Sequence, residues 1–323
     1  MNLRRLFLIG CTMLGALMPG LDAQPRESFV VGVMRRDGVL LPFASYDGKW
    51  EVSWPGSVQN LELPITLEAV PRKWWGGSMP RSWTLWPADG SAPMKLSSSA
   101  PIAILVGVEK RIGLRTGFVS NEPAPMPFTV PYPKEGIAVS ADIKIESIST
   151  VSKRATAWRD LTTALKDDID TAEERAINKT KSSSRWVHPI ARAQREAIVA
   201  ELEAWYTSSL VQPGFGVSYI EAVKKYPPGE EDEGCGLETF ISGWVYSNSR
   251  EPRPKTNLAA RITYCDRKGV SYLLPLGRMT VNNRTHWVFQ TSSWETEWYS
   301  VVEATPGRVR YVAEYFGGGR PSL

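Results

Sequence analysis

Histidine and cysteine are the chemistry-bearing residues this chain has least of: two His and three Cys in 323 residues. With only His188 and His286, Ser-His-Asp, Cys-His and HExxH arrangements have almost nowhere to stand. No GxSxG elbow, P-loop or GxGxxG occurs, and Gly76-Gly77 lacks the strand–loop–helix setting that cradles phosphate. No nucleotide cofactor is therefore expected, nor any other cofactor. Charge of one sign is also missing. Lys and Arg number 38 against 34 Asp and Glu, a net +4 spread thinly, which disfavours a nucleic-acid partner. Metal ligands are no better supplied. No Cys belongs to a CxxC pair, and Glu230-Glu231-Asp232-Glu233, after Pro227-Pro228-Gly229, reads as a solvated acidic loop without EF-hand order. No metal is expected.

Long apolar runs are absent past the N-terminus. Arg4 and Arg5 precede an apolar run from Leu6 to Met18, which Pro19-Gly20 ends. That run is shorter than the ~20 residues of a membrane span. A charged start, an apolar stretch and a small residue before polar chain predict a signal peptide over residues 1–23, cleaved between Ala23 and Gln24. The expectation is an exported protein, periplasmic or extracellular, with no transmembrane helix after processing. Leu8-Ile9-Gly10-Cys11 resembles a lipoprotein box and offers lipid anchoring through Cys11 as the alternative. Once Cys11 is removed, Cys235 and Cys265 remain, an even number in an oxidising compartment. Strands at Leu237–Tyr246 and Leu258–Cys265 flank a turn-rich stretch, and the two cysteines are centred on Arg250. One hairpin would place them opposite one another as a disulfide.

Aromatic residues are abundant: 13 Trp, 11 Tyr and 9 Phe. With 42% hydrophobic residues, they exclude a disordered chain. The dominant pattern is period two. Phe29–Met34, Val39–Ala44 and Trp50–Trp54 are separated by Asp37-Gly38 and Asp47-Gly48, which predict type I′ hairpin turns and a meander. Leu61–Leu67, Ile102–Val108 and Ile112–Phe118 continue the alternation, and Asp89-Gly90 follows Trp83–Trp86. Residues 24–120 thus read as an all-β domain and the Pro-rich stretch 121–133 as a linker. Residues 134–323 read as an α+β domain: a strand at Ile137–Ile145, two helices at about 154–180 and 189–210, and an antiparallel sheet over 213–316. Trp158, Leu161, Leu165, Ile169, Ala172 and Ala176 form the first helix's apolar face; Ile198, Leu202, Trp205 and Leu210 mark the second. The fold class is mainly β, with antiparallel strands in two regions and a pair of amphipathic helices between them.

Candidate chemistry is sparse. Arg72, Trp74 and Trp75 lie on a Gly/Pro-supported loop before Trp83 and Trp86. Such a loop could stack on a sugar or anchor a protein partner; the plainer reading is that these Trp plug a β-core. His286, between Thr285 and Trp287, falls on the polar face of a strand with Gln290 and reads as an exposed histidine. His188, before Pro189, reads as structural at a helix start. Asn178-Lys179-Thr180 and Asn283-Arg284-Thr285 match glycosylation sequons by chance. The sequence therefore points to a non-enzymatic binding or structural envelope protein with a glycan or envelope-protein partner. The alternative is a hydrolase, for example carbohydrate-active, using paired carboxylates.

Overall fold

The computed structural model describes residues 28–52, 81–106, 109–126, 132–227, 236–251, 253–264, 272–292 and 297–317. Seventeen strands and three helices lie within them, and every strand pair is antiparallel. The mainly β class is borne out.

Six strands close into a barrel: β1 (Phe29–Arg35), β7 (Lys134–Val139), β4 (Ser82–Pro87), β5 (Met94–Val106), β6 (Glu109–Thr116) and β2 (Val39–Tyr46), which returns to β1. The short strand β3 (Trp50–Val52) extends β2. Closure leaves these six strands without an open edge. The strand expected to open the second region, β7, is thus hydrogen-bonded into the first sheet, between β1 and β4. Gly136 permits this packing, because a Cβ there would lie 2.1 Å from the Trp86 carbonyl oxygen. Alternation sorts the barrel side chains. Val30, Met34, Leu40, Trp83, Leu85, Leu114 and Ala138 fill the lumen, so Trp83 is core, as the plainer reading held.

The outward faces of β1, β2 and β7 are equally apolar. Val31, Val33, Leu41, Phe43, Ile137 and Val139 pack on a five-stranded sheet through its Met279, Val288, Tyr299 and Val301. That sheet comprises β17 (Arg308–Gly317), β16 (Glu297–Thr305), β15 (Arg284–Ser292), β14 (Tyr272–Val281) and β8 (Ile145–Glu146). Its other face meets a second five-stranded sheet: β13 (Lys255–Tyr264), β12 (Leu237–Asn248), β11 (Phe215–Lys225), β10 (Glu201–Ser209) and β9 (Ser149–Thr150). Trp287, Phe289 and Val302 interdigitate there with Val217, Tyr219 and Trp244. Helices α1 (Thr156–Ala164) and α2 (Lys166–Ser183) cover the far face of the second sheet with Trp158, Leu165, Ile169 and Ala172. The order of layers is barrel, sheet, sheet, helices.

Three expectations change. The helix expected at 189–210 is only α3 (Arg192–Ala197), followed by β10. A register shift between Leu202 and Ala204 lets Leu202 and Trp205 share one face, so a β-bulge produced the three-residue spacing that reads as helical. The Asp-Gly turns have positive φ only at glycine: 77° at Gly38, 74° at Gly48 and 79° at Gly90. The Gly38 turn is a three-residue loop with Gly left-handed rather than type I′. The two central positive φ values of a type I′ turn occur at Asn282 (49°) and Asn283 (58°), between β14 and β15. His286 is not exposed; both faces of β15 are covered, because its sheet lies between two other layers.

The ladder of β12 and β13 runs from Leu237↔Tyr264 to Tyr246↔Lys255. It is centred between Arg250 and Glu251, one register step from the pairing that sets Cys235 opposite Cys265. Both cysteines lie beyond its last pair, outside the described residues.

Candidate functional site

The signal segment with Cys11, Ala23 and Gln24, the binding candidates Arg72, Trp74 and Trp75, and both remaining cysteines fall outside the described residues. One concave site that combines an imidazole, a carboxylate and two guanidiniums was not anticipated. It is a cavity of about 530 Å³ where the β2–β3 hairpin of the barrel meets the β14–β15 turn and β16–β17. Ligand pockets span roughly 300–1,000 Å³. Lys49 and Trp50 line it from the barrel side, and Asn282, Arg284, His286, Glu303 and Arg310 from the sheet side.

Alternation places these groups. On β15, Thr285, Trp287 and Phe289 face the second sheet, so His286, Val288 and Gln290 face the barrel. On β16, Glu297, Tyr299, Val301 and Glu303 do the same. Val288, Tyr299 and Val301 make the apolar middle of the interface, and polar residues stand at both ends.

At the cavity end Glu303 is the hub. One Arg284 nitrogen, Nη1, donates to both its oxygens at 3.0 Å, while Arg310 Nη2 reaches them only at 3.4 and 3.5 Å. The Glu303 side chain is 11% exposed, whereas the two arginines are 54% and 56% exposed. Burial opposes the charge on Glu303, but the Arg284 hydrogen bond and the charges of Arg284 and Arg310 outweigh it and hold the carboxyl below its ordinary range. One carboxylate cannot neutralise two guanidiniums. Arg310, at the outer limit of hydrogen-bonding distance, keeps its charge and most of its donors for another acceptor.

His286 supplies the complementary character. Burial pushes its imidazole down to about 4, against the pull of Glu303, so the ring is neutral at pH 7. Its Nδ1 stands 3.1 Å from the Arg284 carbonyl oxygen, which can only accept, so Nδ1 carries the proton and Nε2 the lone pair. Nε2 lies 3.7 Å from Glu303 Oε2, and no described residue donates to it. Trp50 packs against His286 with centroids 5.4 Å apart, and Asn282 donates to the Tyr46 hydroxyl at the rim. The site thus holds an acceptor pair beside two cationic donors, against an aromatic wall.

The opposite end of the interface is sealed. Lys134 donates to Glu297 at 2.8 Å and to the Tyr132 carbonyl at 2.7 Å, with side-chain exposures of 0% and 2% for the ion pair. Gln290 donates to Glu297 at 2.9 Å and to Ser292 at 2.8 Å, and Tyr299 also donates to Glu297. Burial lowers Lys134 to about 8 although Glu297 opposes it. A third polar cluster fixes the helices. Lys224 of β11 bonds Asp170 and Glu173 of α2, and Glu173 also accepts from Tyr226. His188 sits beside it, its ring 5.0 Å from that of Tyr226, with Nδ1 accepting the Ile190 N–H at 3.1 Å. That matches the structural role expected of His188.

Among the described residues Glu303 is the one carboxylate lining the cavity beside His286. At a further cavity by β4 and β7, Glu122 and Glu135 share Arg36, and Asp89 accepts the Ser91 N–H. Among the described residues no group of three His, Cys, Asp or Glu could hold a metal ion, and no helix is long and apolar enough to cross a membrane. No protein-family model, curated protein or solved structure matches the chain.

Neutral His286 and unbalanced Arg310 were invisible in the linear sequence. The usable signal was the alternation Thr285–His286–Trp287 opposite Val302–Glu303–Ala304, which puts His286 and Glu303 on one face once the strands are paired.

Proposed function

We propose that this protein is an exported, non-enzymatic binding protein whose ligand carries negative charge and sits in the cavity between the β2–β3 hairpin and the β14–β17 sheet. The observation that carries the reading is the two half-exposed arginines held on one buried carboxylate. An arrangement with surplus cationic donors, pre-oriented by Glu303, binds an anion without first ordering the side chains. Among the described residues no second carboxylate lines the cavity to act with Glu303 as an acid–base pair.

Retention of the purified protein on immobilised polygalacturonate, polyglutamate and polyphosphate tests this. The expected result is retention on at least one polymer, lost in Arg310→Ala and Arg284→Ala and kept in Trp74→Ala and Trp75→Ala. Retention on none, or loss only in the Trp variants, would overturn it.

Export through residues 1–23 belongs to the same reading. N-terminal sequencing of protein recovered from a bacterial periplasm should begin at Gln24, and Cys11→Ser should not change its location. We infer that Cys235 and Cys265 form a disulfide next to the β12–β13 hairpin. A mass map of non-reduced peptides should contain the linked pair, and closing a loop of that length stabilises by about 3–4 kcal/mol in the chain-entropy model.

A further inference from the structure

An anion alone leaves half of the cavity unused. The Arg310 side of the site asks for a negative charge, while the His286 side presents the unpartnered Nε2 of His286 beside the Glu303 carboxylate, with the buried, unpartnered Trp50 Nε1–H in the same wall. Nε2 of neutral His286 needs a hydrogen from whatever occupies the space beside it, and Oε2 of Glu303, 3.7 Å away, keeps its Arg284 bond at 3.0 Å but gains room for a new donor once the 3.4 Å Arg310 contact turns to the ligand's anion. The occupant must therefore carry acceptors with negative charge at one end and donors at the other.

That requirement separates ligand classes. A fully ionised sulfate or phosphate brings acceptors only and meets the His286–Glu303 pair with repulsion. A simple carboxylate satisfies Arg310 but leaves His286 Nε2 without a hydrogen, at the cost of an unsatisfied polar group. A neutral sugar supplies hydroxyl donors but leaves the surplus guanidinium without its anion. A hydroxylated acid satisfies both ends. Among such ligands a ring with vicinal hydroxyls offers two O–H groups side by side, matching two acceptors side by side, and its apolar face can lie on Trp50 and Tyr46.

Resting on the anion-binding reading above, we infer that the cavity takes a hexuronic acid residue of an acidic glycan, its carboxylate on Arg310 and its vicinal hydroxyls on His286 Nε2 and Glu303. Arg284 stays on Glu303 and holds the carboxylate in place, while Lys49, on the far rim, is already paired with Glu51 at 2.6 Å.

Calorimetric titration of the purified protein with galacturonate, galactose, acetate and sulfate as separate probes tests the assignment. Galacturonate is expected to bind at least ten-fold tighter than each of the other three. Arg310→Ala should bring galacturonate down to the level of galactose, and His286→Phe should bring it down to the level of acetate. His286→Asn, which is small and polar, serves if the Phe variant fails to fold. Equal binding of acetate, sulfate and galacturonate would overturn the inference while leaving an anion site in place. Binding of no probe would overturn both this inference and the reading beneath it. Galacturonate binding that survives His286→Phe unchanged would place the hydroxyls elsewhere and overturn the inference alone.

Discussion

The two ends of the interface between the barrel and its neighbouring sheet are built from the same parts. Each takes one residue from β15 and one from β16, on the same face, and each has a glutamate as its hub: Glu297 with Gln290 at one end, Glu303 with His286 at the other. The sealed end matches one buried lysine to its glutamate and holds both glutamate oxygens in bonds inside the protein, leaving, among the described residues there, only the Gln290 amide oxygen without a partner. The open end sets two half-exposed arginines on its glutamate and leaves an imidazole nitrogen without a donor. Strand position and residue type do not distinguish a structural ion pair from a ligand site here. Solvent access and the ratio of cations to anions do.

The largest expected effect falls at the sealed end. Lys134→Met leaves Glu297 buried without its cation and should cost about 3–5 kcal/mol of stability. Urea denaturation reads it, and adding Glu297→Leu should restore most of the loss. If Lys134→Met is nearly neutral, the ends are not distinct in the sense described.

Next is a pH effect confined to the open end. The His286 pKa is depressed in the folded state, so between about pH 6.5 and about pH 4 the unfolded chain binds the proton and the folded chain does not. Stability should therefore fall as pH drops through that window, by on the order of 3 kcal/mol from this group. His188, also lowered by burial, contributes in the same direction. The difference between wild type and His286→Asn denaturation curves isolates the His286 share. An unchanged pH slope in His286→Asn would remove the basis for a neutral ring.

A smaller effect is expected from Arg310→Ala. Its long contacts and exposure predict a stability change within about 1 kcal/mol, against a ten-fold or larger loss of galacturonate affinity. A loss of stability comparable to that of Lys134→Met would make Arg310 structural. The smallest is salt: raising ionic strength from about 0.1 to about 1 M shortens the screening length from ~10 to ~3 Å. It should weaken ligand binding at the open end while leaving the Lys134–Glu297 contribution nearly untouched.

Much of the architecture was legible in the sequence, and for a stated reason. Phe29–Met34, Val39–Ala44 and Trp158–Ala172 carry periods that depend only on local geometry; the first two became the expected strands, and the third became helix with the expected apolar face, though broken at Leu165 into α1 and α2 rather than continuous. The failures have a common origin in packing between distant segments. The spacing of Leu202 and Trp205 reads as a helix only because the bulge that creates it is set by pairing with β11. Ile137 and Val139 show a strand, but not that it closes a barrel with Phe29–Arg35. His286 alternates with apolar neighbours as an exposed residue does; nothing local reveals that a third layer covers the polar face. Glu173, which the helical wheel places among solvated acids, is buried because Lys224 and Tyr226 lie beneath it. The open cavity forms where the barrel hairpin meets the β14–β17 sheet, and the alternation around His286 and Glu303 marks it only once those strands are paired.

The scarcity of histidine makes the central claim directly measurable. With ring-labelled histidine the protein gives two imidazole signals, and the one missing from His286→Asn belongs to His286. Titrating galacturonate should shift the His286 signal to saturation and leave the His188 signal in place. Movement of His188 alone, or of neither ring at saturating ligand, would contradict the assignment of the open end of the barrel–sheet interface as the binding site.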